Sequence, residues 1–180
     1  MRNAVFLDRD GVLNRADVRD GRPYPPASLD ELEILPGVKR ACEALRASGF
    51  FLVVVTNQPD IARGKQSTQA VDDINEYLKR ELQLDAVRVC AHDDADRCNC
   101  RKPAPGLLLD SARDFDIDMR HSFLVGDRWR DIEAGRQAGV RTILIDYQYS
   151  EKRVEPDQIV QNLAQAADWI LTQTVAEVSS

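Results

Sequence analysis

The run Asp8-Arg9-Asp10-Gly11 places two carboxylates one residue apart, directly after the apolar stretch Ala4-Val5-Phe6-Leu7. An uninterrupted apolar run bounded by glycine reads as a strand buried on both faces, as in a parallel sheet. Side chains alternate along extended chain, so Asp8 and Asp10 are expected on one side and Arg9 on the other. Two carboxylates at the exit of a buried strand repel each other, and a divalent cation between them is the simplest relief. Asp and Gly also favour turns, so a purely capping pair is the competing reading.

The same punctuation recurs along the chain. Phe50-Phe51-Leu52-Val53-Val54-Val55 runs into Thr56-Asn57-Gln58, and Ser122-Phe123-Leu124-Val125-Gly126 runs into Asp127. Lys102 follows a third strand, Val87-Arg88-Val89, and can reach the same edge. In open parallel sheets, ligands bind at the C-terminal ends of the strands, near a reversal of strand order. Three acids, a hydroxyl and a lysine gathered there outline a site for a hard metal and a phosphate. Asp and water oxygens suit Mg²⁺, while Lys and Thr donate to phosphoryl oxygens. Any one of these residues could be an ordinary turn or cap residue, but all four stations together fit that reading poorly.

A second constellation lies between the third strand and Lys102. Cys90-x-His92 and Cys98-x-Cys100 bring three thiols and an imidazole into one short loop. That donor set can close a tetrahedral zinc site with no open position for water, which makes it structural rather than catalytic. The spacing is tighter than in zinc fingers, so a disulfide and free thiols stay open as alternatives. Zinc in the 90–100 loop would rigidify the segment that delivers Arg101 and Lys102. Asp93, Asp94 and Asp96 read as solvated turn residues, and His121 as a surface histidine.

The elements that must hold these groups alternate between strand and helix. Pro36-Gly37 opens a helix whose Val38, Ala41, Cys42 and Leu45 form one apolar stripe, with Gly49 as its stop. Ser67 or Thr68 caps the next helix, which buries Val71, Ile74, Leu78 and Leu82. Pro105-Gly106 opens a third with Leu108, Ala112 and Phe115 inward. Arg130 to Gln137 forms a fourth, and Thr142-Ile143-Leu144-Ile145-Asp146 a fifth strand. The last helix is expected to bury Ile159, Leu163, Ala166 and Ile170 and to fray into a polar tail. Residues 15–35 hold Pro23, Pro25 and Pro26, which forbid a helix or a central strand. A loop of that length beside an acidic pair reads as a substrate-facing flap, with a plain surface excursion as the alternative. One α/β domain over residues 1–180 fits throughout: a Rossmann-like three-layer sandwich with a central parallel sheet and no separate cap domain.

With 180 residues the chain can bury a core without disulfides. No apolar stretch reaches transmembrane length, and the first strand begins almost at once, so no membrane association and a cytoplasmic location are expected. A net charge of -6 and a pI near 5.0 argue against a nucleic-acid partner, though not against a small anion met by local positive charge.

Asp8-Arg9-Asp10-Gly11, Thr56-Asn57-Gln58, Arg101-Lys102-Pro103, and Gly126-Asp127 with Asp131 resemble, in order and spacing, the four motifs of the haloacid-dehalogenase-type phosphatases. The likeness spans nearly the whole chain. The opening motif, Ile61-Ala62-Arg63-Gly64 and the cysteine loop are similar to the branch that holds the heptose-bisphosphate and histidinol-phosphate phosphatases. The resemblance implies that Asp8 attacks phosphorus, that Asp10 serves as acid and base, and that Thr56 and Lys102 hold the phosphoryl oxygens. It implies Mg²⁺ on the Asp8 carboxylate, the Asp10 carbonyl and Asp127, with Asp131 orienting Lys102 or a bound water. It further implies Zn²⁺ on Cys90, His92, Cys98 and Cys100. Asn57, Gln58, Arg63, Arg101 and Arg128 would meet the rest of the substrate, including a second phosphate. The chain departs from the heptose pattern at Val12, where Thr is commoner, at Pro59-Asp60 in place of Ser-Gly, at Arg128 in place of Lys, and in a longer flap.

The function expected is therefore a Mg²⁺-dependent sugar-phosphate hydrolase, monomeric, with heptose 1,7-bisphosphate as leading substrate and the 7-phosphate as leaving group. Histidinol phosphate or another small phosphomonoester is the alternative. A polynucleotide 3'-phosphatase is disfavoured by the acidic composition and the lack of an aromatic-basic platform. A zinc-stabilised binding module would be expected to have lost Asp8 or Asp10, and a phosphotransferase to carry a Gly-rich nucleotide loop.

Overall fold

A strand that is apolar on both faces needs neighbours on both edges and cover above and below. In the computed structural model, which describes residues 1–19 and 21–178, the first apolar run forms β1 (Ala4–Leu7), all four side chains buried. It is followed by β2 (Asp17–Arg19), β3 (Arg22–Tyr24), α1 (Val38–Ala47), β4 (Phe51–Asn57), α2 (Thr68–Glu81) and β5 (Ala86–Cys90). Then come α3 (Gly106–Phe115), β6 (Phe123–Gly126), α4 (Trp129–Ala138), β7 (Arg141–Ile145), β8 (Gln158–Val160) and α5 (Leu163–Val178). Six strands form one sheet in the order β5-β4-β1-β6-β7-β8, every pair parallel. This is the doubly wound order, with its reversal at β1 and β6.

Alternation along β1 splits the core in two. Val5 and Leu7 pack with Val38, Cys42 and Leu45 of α1, Ile74 and Leu78 of α2, and Leu163 and Ile170 of α5. Ala4 and Phe6 face the other way, with Leu107 and Leu108 of α3 and Ala134 and Ala138 of α4. The expected three layers are thus present, and no separate cap domain is evident among the described residues. Cys42 is a core thiol, pushed up to about 12 chiefly by burial. Ser67 caps α2, its side chain accepting from Ala70 N–H at 3.1 Å.

Four expectations need correction, the last of them at Arg9. Ile159 lies not in the last helix but in β8, a sixth strand, where its side chain is exposed. Its place beside β7 is fixed by tertiary pairing rather than by a long apolar run. Residues 15–35 are not wholly loop, because β2 and β3 make an antiparallel hairpin with Pro23 opposite Val18. A two-stranded ribbon tolerates a proline that a central strand would not. The helix α5 continues to Val178; the tail's end, Ser179 and Ser180, lies outside the described residues.

β1 stops at Leu7, and the chain then reverses in a tight turn. The carbonyl of Arg9 accepts from the backbone N–H groups of Val12, Leu13 and Asn14. Extended-chain alternation therefore does not apply, and Arg9 does not point away from its neighbours. It is fully buried, with Nε donating to Asp10 Oδ1 at 3.1 Å, Nη2 lying 3.0 Å from Asp10 Oδ2, and Nη1 donating to Asn75 Oδ1 at 3.2 Å.

Two glycines let the strand ends approach each other. Gly11 has φ +87°, and a Cβ there would lie 2.1 Å from Asp127 Oδ2. At Gly126 a Cβ would meet the Asp131 Cβ at 2.2 Å. Gly126→Ala is expected to destabilise the protein by about 2 kcal/mol, since neither strand nor helix can yield. Urea denaturation measures this; an unchanged midpoint would mean that β6 and α4 are not packed as described.

Candidate active site

The site is built from a lysine inside the sheet edge. Lys102 Nζ donates to Asp8 Oδ1 at 2.8 Å and to the Val55 carbonyl at 2.7 Å, and lies 2.5 Å from Asp131 Oδ1. All three charged groups are buried. Its two carboxylate partners more than offset the burial, so Lys102 is held well above the ordinary lysine range. Burial pushes Asp8 up to about 6 against the pull of Lys102. Asp131 spends its second oxygen on the Arg128 backbone N–H, at 3.1 Å, which tethers the start of α4.

Asp127 completes the group. Its carboxylate, with those of Asp8 and Asp131, offers oxygens that all lie within 4.8 Å of one another. Neither Asp127 oxygen has a hydrogen bond of ordinary geometry, and the nearby Tyr149 phenol is raised by burial and by this charge. Burial, Asp8 and Asp131 all push Asp127 well above the usual carboxylate range. A buried, unpartnered carboxylate beside two others is electrostatically incomplete.

Asp10 is held by side chains from two elements. Besides Arg9, Asn14 Nδ2 donates to its Oδ1 at 3.0 Å and Gln58 Nε2 to its Oδ2 at 2.8 Å. Gln58 also donates to Thr56 Oγ1 at 2.9 Å and is itself fully buried. Gln58 therefore positions Asp10 and Thr56, and the expectation that it touches substrate gives way to that role. Asn57 clamps the Lys102 backbone, donating to its carbonyl at 3.0 Å and accepting from its N–H at 3.1 Å.

Above these groups opens a cavity of about 520 Å³. Asp8, Asp10, Thr56, Asn57, Lys102 and Asp131 face it, as do Arg63, Arg101 and Arg128. Each arginine is already paired: Arg63 bidentately with Asp93 at 2.7 Å, Arg101 with Asp94 at 2.8 Å, Arg128 with Glu151 at 2.9 Å from Nε. Pro23, Tyr24 and Pro25 of the hairpin region line one side. Residues that the sequence reading missed are Arg130, Trp129, Glu151 and Lys65. Arg130 stands three residues after Asp127, so its nearness to that motif was a usable signal; Glu151 lies in a stretch with none. Asp93 and Asp94, read as solvated turn residues, are partners of the cavity arginines.

The cysteine loop gathers as expected. Cys100 Sγ lies 3.2 Å from Cys90 Sγ, 3.3 Å from Cys98 Sγ and 3.3 Å from His92 Nδ1; Cys90 lies 3.6 Å from His92 Nδ1 and 3.7 Å from Cys98. All four cysteines of the chain are free thiols, so no disulfide forms here. Such separations suit four donors around one ion, where bonds of about 2.0–2.3 Å give edges of roughly 3.3–3.8 Å. His121 is exposed and bonded to Asp118, as expected of a surface residue.

Comparison with known proteins agrees with this geometry. A family model described as "HAD-hyrolase-like" matches residues 99–166. The D-glycero-beta-D-manno-heptose-1,7-bisphosphate 7-phosphatase of Escherichia coli (strain K12) is 38% identical over 181 residues, 93% of this chain and 87% of its own. The chain belongs to the haloacid-dehalogenase-type phosphatase family. The phosphatase of the same name from Rhodopseudomonas palustris is also 38% identical, over 151 residues, 77% of this chain and 81% of its own. Among solved structures, D,D-heptose 1,7-bisphosphate phosphatase from B. bronchiseptica, complexed with magnesium and phosphate, superposes with a TM-score of 0.82. It is 33% identical and covers 95% of this chain and 99% of its own.

Membership of this family implies Mg²⁺, and the residues present fit it. The phosphatase offers a hard-oxygen donor set, and the orphaned Asp127 oxygens call for the kind of partner that a cation supplies. No helix among the described residues is long and apolar enough to cross a membrane.

Lys102→Met leaves Asp8 and Asp131 facing each other without a cation. The expected cost in the metal-free protein is about 3 kcal/mol by urea denaturation, partly recovered by adding Asp131→Asn. Full stability in the single variant would show that the lysine is not the charge that holds these acids.

Proposed function

We propose that this phosphatase removes the 7-phosphate of D-glycero-β-D-manno-heptose 1,7-bisphosphate by way of an aspartyl phosphate. The observation that carries the reaction type is the Asp8–Lys102–Asp131 bridge beside an unpartnered Asp127, at the floor of a cavity ringed by arginines. The choice of sugar is supported by the names of the relatives and by the second set of cationic groups above the floor.

Asp8 is the nucleophile: its free oxygen faces the cavity, while Lys102 holds the other at 2.8 Å. Asp10 hands a proton to the departing sugar oxygen, then takes one from the water that cleaves the acyl phosphate. Arg9, Asn14 and Gln58 fix its carboxylate so that one orientation meets both steps. Thr56 and Lys102 donate to the oxygens on which transition-state charge accumulates. Mg²⁺, held by the Asp8 carboxylate, the Asp10 carbonyl and Asp127, would neutralise the charge that keeps a carboxylate from a phosphate. Asp131 serves Lys102 rather than the metal. Zn²⁺ on Cys90, His92, Cys98 and Cys100 would be structural, fixing the loop that delivers Arg101 and Lys102. Arg63, Arg101, Arg128 and Arg130 meet the rest of the substrate, with the 15–35 flap closing one side. We take it to act as a cytoplasmic monomer, with one phosphatase domain over residues 1–180 carrying every group named.

Asp8→Asn is expected to lower phosphate release from p-nitrophenyl phosphate with Mg²⁺ by on the order of 10³-fold or more. Wild-type enzyme should favour the β-heptose 1,7-bisphosphate over its α-anomer and over histidinol phosphate. Equal, poor turnover of all three would overturn the sugar assignment, and full activity of the variant would overturn the nucleophile.

The raised Asp8 gives a pH signature. With a folded value of about 6 against 3.8, the metal-free fold keeps a proton that the unfolded chain has lost. Its contribution to stability is complete below about pH 4 and is lost as pH rises through about 6. Mg²⁺ competes with that proton, so it should raise Tm more at about pH 7.5 than at about pH 5. Equal shifts in calorimetry would remove Asp8 from the ligand set.

A further inference from the structure

We infer that Asp94 is a positioning residue for substrate selection, holding Arg101 and Arg130 as a paired anchor for the anionic group remote from the scissile phosphate. The inference rests on the bisphosphate reading above and adds a residue to it. Asp94 Oδ1 accepts from Arg101 Nε at 2.8 Å and from Arg130 Nη1 at 3.2 Å. One oxygen thus joins two guanidinium groups that arrive on different elements, the cysteine loop and α4. Like charges brought so close would otherwise separate into solvent.

Asp94 is more than half exposed, and an ion pair at such a site adds little to stability. Its geometry nevertheless is fixed from several sides. Its own N–H is capped by Asp93 Oδ1 at 2.7 Å, and Asp93 N–H in turn donates to Asp96 Oδ2 at 2.7 Å. Arg101 is further held by the His92 carbonyl at 3.2 Å, and the Arg130 guanidinium lies 5.1 Å from the Trp129 ring. The two arginines share a single negative charge, so the cluster keeps a net positive charge toward the cavity. Arg101 Nη2 and Arg130 Nη2 have no hydrogen-bond partner among the described residues and remain for a ligand. Ordering both side chains before substrate arrives reduces the entropy lost on binding. A monophosphate without a second anion gains nothing from the arrangement, so its effect falls on discrimination.

The test compares kcat and KM for a sugar 1,7-bisphosphate and for p-nitrophenyl phosphate in Asp94→Ala, Asp94→Asn, Arg101→Ala and Arg130→Ala. Asp94→Ala is expected to lower the ratio of kcat/KM for the bisphosphate over that for p-nitrophenyl phosphate by about tenfold, with the loss in KM rather than kcat. Asp94→Asn, which keeps the acceptor oxygen without the charge, should recover part of that ratio. It also carries the test if the alanine variant loses metal from the cysteine loop. An unchanged ratio in the Asp94 variants while Arg101→Ala and Arg130→Ala lower it would overturn the role of Asp94 alone. An unchanged ratio in all four would overturn the second-anion reading itself. A bisphosphate KM that falls in Asp94→Ala would show the carboxylate to be a competitor for the arginines and would overturn the inference.

Discussion

Everything at the sheet edge depends on one ammonium group shared by two buried carboxylates. Lys102 comes from the loop after β5, Asp8 from the end of β1 and Asp131 from the first turn of α4. Burying three ionised groups is costly unless each finds a partner, and here the lysine serves both acids while the Val55 carbonyl takes a third donor. The arrangement leaves one negative charge over, and burial beside these acids holds Asp127 above the usual carboxylate range. A protein that accumulated such charge with no further purpose would gain by replacing it with apolar side chains. The excess is instead one half of an electrostatic pair whose other half is a cation of the kind the family implies.

The same balance operates at larger scale. An acidic protein of net charge -6 surrounds its cavity with arginines tied to carboxylates, Arg63 to Asp93, Arg128 to Glu151, and Arg101 and Arg130 together to Asp94. The positive charge at the mouth is therefore set by paired geometry rather than by bulk composition. Such pairing restrains flexible side chains and discourages extended polyanions, which would need a long basic track. The hairpin beside the cavity supplies walls of proline and tyrosine in place of a separate cap.

What could be read from the sequence was whatever local pattern controls. β1 and β4 announced themselves as apolar runs, and the acids and hydroxyl at their exits marked the sheet edge without any coordinates. Arg9 and Gln58 were misplaced for a common reason. Their roles arise from a turn that reverses the chain after Leu7 and from packing against α2, and neither leaves a periodic trace. β8 is three residues long and half exposed, so pairing with β7 defines it rather than composition. Glu151 became visible only once the loop after β7 was folded over the cavity, whereas Arg130 had the nearby Asp127 motif to mark it. The clustering of Cys90, His92, Cys98 and Cys100, by contrast, was legible because three thiols and an imidazole in one short loop make up a tetrahedral donor set.

The strand order has a consequence for the nascent chain. Because β1 lies at the centre, its edges stay open until β4 on one side and β6 on the other have been synthesised. The first carboxylate therefore waits for a lysine about ninety residues later and for acids later still. The buried acids and the lysine that joins them therefore come together only once the chain through Asp131 has been made.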